Sequence, residues 1–280
     1  MTAYADTGGA RLAYETHGPA DGPPLLLIRG LGTQMSEWPP ALIEGLAQRG
    51  FHVVVFDNRD CGLSSGSEQD PAEGPAYGLA DMADDCVGLL DHLGIGQAHV
   101  FGISMGGMIA QTLAIEHPHR LLSLISVMSS TGNPELPRPA PEIMKALLTP
   151  APANKEAAIR QNAENRALFG SPAYPETEEA RLAAARRAYE RAFRPAGVAR
   201  QYQAILADGS RVERLRHVNV PTLVVHGADD PLVPPAGGED TARAIPGARL
   251  ELIPGMGHNL PAGLVPRFVD LIDAFASEHG

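Results

Sequence analysis

A chain of 280 residues with 44% hydrophobic and 20% charged residues can bury a large core, and its 30 glycines and 25 prolines point to many turns rather than to disorder. The net charge of -11 excludes a phosphate backbone as the main partner, because nucleic-acid binding needs clustered Lys and Arg. No apolar run reaches the roughly 18 residues that cross a bilayer, and Asp6, Arg11, Glu15 and His17 break up the start where a secretory signal would be apolar, so no membrane association and a cytoplasmic location are expected. Charge is uneven: residues 151–220 carry 12 Lys or Arg against 8 Asp or Glu, whereas the remainder is strongly acidic, which helix-surface charge accounts for. Cys61 and Cys86 suit a reducing compartment and lack metal-ligand spacing, and no metal motif appears elsewhere, so no metal is expected.

In chain order, Thr2 to Asp6 and Arg11 to His17, around Gly8-Gly9, predict an antiparallel hairpin on a sheet edge. Short apolar runs then recur at Leu25 to Ile28, His52 to Phe56, Ala98 to Phe101, Leu121 to Met128, Thr222 to Val225 and Leu250 to Ile253, and these read as buried strands. Helical spacing separates them at Pro40 to Arg49, Leu79 to Leu93 and Met105 to Glu116. Such alternation predicts right-handed βαβ crossovers and a mainly parallel, eight-stranded sheet with helices on both faces. From Thr131 to Arg216 the alternation stops, and helical segments and Pro-rich turns replace it. Glu178 to Phe193 is the clearest helix there, with Leu182, Ala185, Tyr189 and Phe193 on one packing face and Arg186 and Glu190 four residues apart. Because strands resume at Thr222, residues 131–216 are expected to be a helical cap inserted into a core made of residues 1–130 and 217–280.

The chemistry concentrates at Gly102-Ile103-Ser104-Met105-Gly106, a G-x-S-x-G run between the Ala98 strand and the Met105 helix. Glycines leave space where the chain doubles back and a neighbouring strand comes close, so Ser104 is a candidate nucleophile on a strand-to-helix elbow. A serine needs a base to take its proton and a carboxylate to orient that base. Late strands end in His226-Gly227-Ala228-Asp229-Asp230-Pro231 and Pro254-Gly255-Met256-Gly257-His258-Asn259, which supply an acid and then a histidine, in the order such an elbow predicts.

Taken together, the Gly102–Gly106 elbow, the Gly227–Pro231 acid loop, the Gly257-His258 loop and the Asp57-Asn58-Arg59 to Gly62-Leu63-Ser64 stretch resemble the α/β-hydrolase-fold serine hydrolases over nearly the whole chain. Phe51 to Ser64 and Ile253 to Pro261 are most similar to small carboxylesterases and polyketide methylesterases of the aclacinomycin type. The resemblance implies an α/β-hydrolase fold with an inserted helical cap, cofactor-free ester hydrolysis, and a triad of Ser104, Asp230 and His258. The acid in such a fold stands just before Pro231, which selects Asp230 over Asp229; the alternative position after the sixth strand holds no carboxylate until Glu135. The resemblance also implies an oxyanion hole from the Met105 N–H and, within Gly30-Leu31-Gly32, the Leu31 N–H. Arg29 stands where relatives commonly carry His, and Asp60 where they often carry Gly. Gly30, Arg29, Met35 and Trp38 are the expected substrate-binding residues, the last two on the acyl side. His226 is expected to shape the acid loop, and Cys61 to be a structural thiol.

The expected activity is cleavage of carboxylic esters, short-chain or methyl esters in particular, by an acyl-enzyme route. Perhydrolase, lactonase, thioesterase or C–C bond hydrolase chemistry could run on the same residues, and a non-catalytic small-molecule receptor is a reading of another class. The expected partner is a small ester; monomer and homodimer stay open.

Overall fold

The computed structural model describes residues 1–280. Eight strands form one sheet: β1 (Ala3–Asp6), β2 (Arg11–His17), β3 (Pro24–Ile28), β4 (His52–Phe56), β5 (Ala98–Ile103), β6 (Leu121–Val127), β7 (Thr222–Gly227) and β8 (Arg249–Ile253). Their order is β1-β2-β4-β3-β5-β6-β7-β8; β1 and β2 pair antiparallel, as do β2 and β4, and all other pairs are parallel. The helices are α1 (Pro40–Gln48), α2 (Leu79–His92), α3 (Met105–Glu116), α4 (Pro141–Leu148), α5 (Lys155–Phe169), α6 (Glu178–Arg191), α7 (Pro195–Asp208), α8 (Val212–Leu215), α9 (Ala236–Ala244) and α10 (Val265–Ser277). None is long and apolar enough to cross a membrane.

The apolar runs are continuous because both faces of the sheet are covered. Side chains alternate across a strand, so Leu26, Ile28, Val54 and Val100 join α2 and α3 in one core layer. Leu25, Leu27, Val53, Val55 and Phe101 join α1 and α10 in the other. Truncating any of these fully buried leucines to alanine should cost about 2–5 kcal/mol, from lost transfer energy plus the cavity left behind.

Between β6 and β7 the chain is helical, α4 to α8, with no strand. Side chains cap two of these helices: Asn154 Oδ1 accepts from Ala157 N–H at 3.0 Å and Thr177 Oγ1 from Ala180 N–H at 3.2 Å. α5 and α6 share a small apolar cluster of Ile159, Ala163 and Ala185 with Leu182 and Tyr189 packed against it. Two details of α6 differ from the sequence-based expectation. The helix stops at Arg191, leaving Phe193 beyond its end and exposed. Arg186 and Glu190 do not pair with each other; they reach across to Glu156 and Lys155 of α5, since antiparallel packing of the two helices offers closer opposite charges.

Candidate active site

β5 runs through the centre of the sheet and must hand the chain to α3 within one residue. That residue is Ser104, at φ 55° and ψ -122°, a backbone conformation that costs a non-glycine residue energy and survives only where its surroundings enforce it. The flanking glycines are required by contact. A Cβ on Gly102 would lie 2.2 Å from Gly106 O, and one on Gly106 would lie 2.2 Å from Ile28 O of the adjacent strand. Ser104 N–H donates to Val127 O at 2.9 Å and Ser129 Oγ donates to Ser104 O at 2.8 Å, which pins the strained residue from both sides.

β7 and β8 bring the partners to the same end of the sheet. His258 Nε2 lies 3.0 Å from Ser104 Oγ, and its Nδ1 lies 2.7 Å from Asp230 Oδ2. A carboxylate only accepts, so this pattern assigns the imidazole proton to Nδ1 and leaves Nε2 free to accept from the serine hydroxyl. Asp230 is 4% exposed. Its other oxygen accepts from Leu232 N–H and Val233 N–H, each at 2.8 Å, which satisfies the buried charge and fixes its plane. Asp229 is exposed and accepts from Gly255 N–H at 2.7 Å, so it serves the adjoining turn. His226 is fully buried beneath the acid loop, where its Nε2 donates to Val233 O at 2.8 Å; burial lowers its pKa and keeps the ring neutral.

The histidine loop is tied to the helical segment by contacts that no sequence spacing signals. His258 N–H donates to Phe169 O at 2.7 Å, and Gly257 N–H donates to Ser171 Oγ at 2.9 Å. Ser171 Oγ in turn donates to Asn259 Oδ1 at 2.5 Å, and a Cβ on Gly257 would come within 2.3 Å of Gly170 O.

The loop after β3 lies against the serine. A Cβ on Gly30 would sit 3.1 Å from Ser104 Cβ. Thr33 closes the turn, its N–H and Oγ1 both donating to Gly30 O at 3.3 and 2.9 Å, and Gly32 N–H donates to Gln201 Oε1 at 2.8 Å. The Leu31 N–H between them is bonded to no protein acceptor. Met105 is the first residue of α3, so its N–H belongs to the positive end of that helix.

Arg29, Met35 and Trp38 lie behind this loop and are buried. The Arg29 guanidinium stacks on Trp38, 4.6 Å from the ring centroid, and Trp38 packs on Phe101 in the core; Met35 belongs to the same core layer. Burial pushes the Arg29 pKa down to about 10, with the nearby Glu37 carboxylate opposing that shift. Burial likewise pushes the Cys61 thiol up, so it stays protonated. Asp60 holds a φ of 65°, the left-handed conformation for which glycine is the usual choice, and accepts two hydrogen bonds from Arg200 of α7. Sequence reasoning does not find Arg200, Gln201 or Ser171, because their partners Asp60, Gly32 and Gly257 lie 140, 169 and 86 residues away and share no motif with them. No group of three or more His, Cys, Asp or Glu side chains is placed to hold a metal ion.

Residues 23–261 match the family model described as alpha/beta hydrolase fold. The chain is 32% identical over 270 residues to rhodomycin D methylesterase DauP of Streptomyces sp. (strain C5), covering 87% of both chains. It is 33% identical over 250 residues to the putative carbamate hydrolase RutD of Caulobacter sp. (strain K31), covering 88% of both. Among solved structures it is similar to a meta-cleavage product hydrolase from Pseudomonas fluorescens IP01, with a TM-score of 0.82 at 21% identity over 99% of this chain and 98% of that one. The strand order, the strained serine between β5 and α3 and these matches agree: the chain belongs to the alpha/beta hydrolase fold family.

Proposed function

We propose that this protein is a carboxylic ester hydrolase working through an acyl-enzyme on Ser104, with residues 131–216 acting as a cap over the site. The observation that carries the reading is the unbroken chain from Ser104 Oγ through His258 to Asp230, at 3.0 and 2.7 Å, on a serine held in a strained conformation. Ser104 Oγ attacks the ester carbonyl carbon while its proton passes to His258 Nε2. Asp230 holds the ring orientation and stabilises the imidazolium that forms. The carbonyl oxygen becomes an oxyanion that accepts from the Leu31 and Met105 N–H groups. Collapse expels the alcohol with the proton from His258, leaving Ser104 acylated. Water then attacks the acyl carbon, its proton passing to His258 and back to Ser104 Oγ as the acid leaves.

A methyl or short-chain ester is the substrate class we favour, and the 32% identity to an enzyme named as a methylesterase supports it. A carbamate carbonyl could undergo the same attack, a reading favoured by the 33% identity to a putative carbamate hydrolase. Ser104→Ala tests the chemistry: it should lower turnover of p-nitrophenyl acetate by about three or more orders of magnitude in a folded protein. Full activity in that variant would refute the assignment. A panel of p-nitrophenyl esters from acetate to palmitate, with methyl esters of polycyclic acids and a phenyl carbamate, reads the preference.

A further inference from the structure

We propose that Gln201, contributed by α7, is a positioning residue for the oxyanion hole, so that the helical segment sets the rate of the chemical step as well as access to it. The inference rests on the reading of Leu31 N–H as an oxyanion donor. Gln201 is fully buried and spans two core loops: its Oε1 accepts from Gly32 N–H at 2.8 Å, and its Nε2 donates to Arg59 O at 2.7 Å. Gly32 has a φ of 64°, and a Cβ there would lie 2.8 Å from Val198 Cγ2 one helical turn before Gln201, so α7 presses directly on the turn that carries Leu31. With Gly30 O bonded by Thr33 and Gly32 N–H bonded by Gln201, the Leu31 N–H of this turn has no protein acceptor.

α7 is itself fixed to the core by the residue that departs from the family pattern. Arg200 donates to both oxygens of Asp60 at 2.8 and 2.7 Å and to Gln69 O at 2.9 Å, while a Cβ on Gly197 would fall 2.1 Å from Asp60 O. The helix therefore cannot slide without breaking buried charge-assisted bonds. Asp60 anchors Arg200, the next residue reaches the turn, and the turn aims an N–H beside Ser104. Preorganised donors stabilise a developing charge only if they need not move when it forms.

The test compares wild type with Gln201→Leu, which removes both bonds at similar volume, and Gln201→Glu, which keeps the acceptor for Gly32 N–H. Arg186→Gln, which breaks a surface pair on α6, is the control. For p-nitrophenyl acetate, Gln201→Leu should lower kcat by roughly 10- to 100-fold, the scale of losing or misplacing an oxyanion donor by about an ångström, with KM within about twofold. The inhibition constant of 1,1,1-trifluoroacetone, which adds to the serine to form an oxyanion, should rise by the same factor. Gln201→Glu should recover part of both, and exchange of the Gly32 amide hydrogen should speed up in Gln201→Leu alone. A kcat in Gln201→Leu within twofold of wild type, or a fall in kcat with no weakening of the ketone, would overturn the proposal. If Gln201→Leu does not fold, Gln201→Asn, one methylene too short to span both loops, gives the same readouts. If wild type cleaves no ester, the ester reading fails, and ketone affinity and Gly32 exchange still decide on Gln201.

Discussion

Replacing Arg200 by methionine removes the cation from a carboxylate that is almost wholly buried. Asp60 has a side chain 1% exposed, whereas that of Arg200 is 10% exposed, so water can reach the arginine's edge of the pair but not the acid. Breaking such a pair costs about 3–5 kcal/mol because the remaining charge is left without compensation, and the partial exposure of Arg200 places the expectation near 3 kcal/mol. Unfolding entropy of about 2.1 cal/mol/K per residue gives roughly 0.6 kcal/mol/K for a chain of this length. Arg200→Met should therefore lower the midpoint of thermal unfolding by about 5 °C at neutral pH. The Asp60→Gly, Arg200→Met double variant removes both charges and places glycine at a φ of 65°, so it should regain most of that loss. Calorimetry of the four proteins closes the cycle. A shift below about 1 °C in Arg200→Met, or a double variant showing the sum of the two single losses, would refute the claim that this pair is buried and coupled.

Asp230→Asn should lower kcat by several orders of magnitude, since an amide cannot stabilise the imidazolium, while Asp229→Asn should stay within a few-fold; equal losses in steady-state assays would remove the distinction drawn between the two acids. Gly102→Ala should give inactive or insoluble protein, because its Cβ would meet backbone 2.2 Å away; soluble protein with wild-type turnover would contradict that geometry. Acid stability should fall as pH drops from about 6.5 towards 4. His99 is buried with its Nδ1 2.8 Å from Ser123 Oγ, and burial pushes its pKa down to about 4. Across that window the unfolded chain binds a proton that the folded one excludes, so His99 lowers stability on acidification by on the order of 1–3 kcal/mol. His99→Gln should flatten the midpoint-against-pH curve there, and an unchanged slope would dismiss the histidine as its cause.

Local and periodic features were legible without the fold. Two-sided burial makes Leu25 to Ile28 and His52 to Phe56 continuous apolar runs, and the edge hairpin has its own glycine turn, so all eight strands could be located from residue pattern alone. The glycines around Ser104 mark an elbow because their spacing is local, although only Gly102 is required by a contact within the pentapeptide and Gly106 by Ile28 O of the neighbouring strand. Asp230 and His258 could be nominated because each lies in the loop that follows a strand, and parallel strands in one sheet deliver those loops to the same side.

Contacts between the helical segment and the core were not legible. Gln201 meets Gly32 across 169 residues, and the Gly257–Asn259 loop is held by Phe169 and Ser171 from a region with no strand pattern at all. For Arg29, Met35 and Trp38 the pattern gave a place near the oxyanion loop, whereas their burial, with the Arg29 guanidinium over the Trp38 ring and Trp38 against Phe101, is decided by packing. Pairings of this kind depend on where a helix comes to rest on a surface. That position follows from the summed packing of many side chains, so no short stretch of sequence carries it.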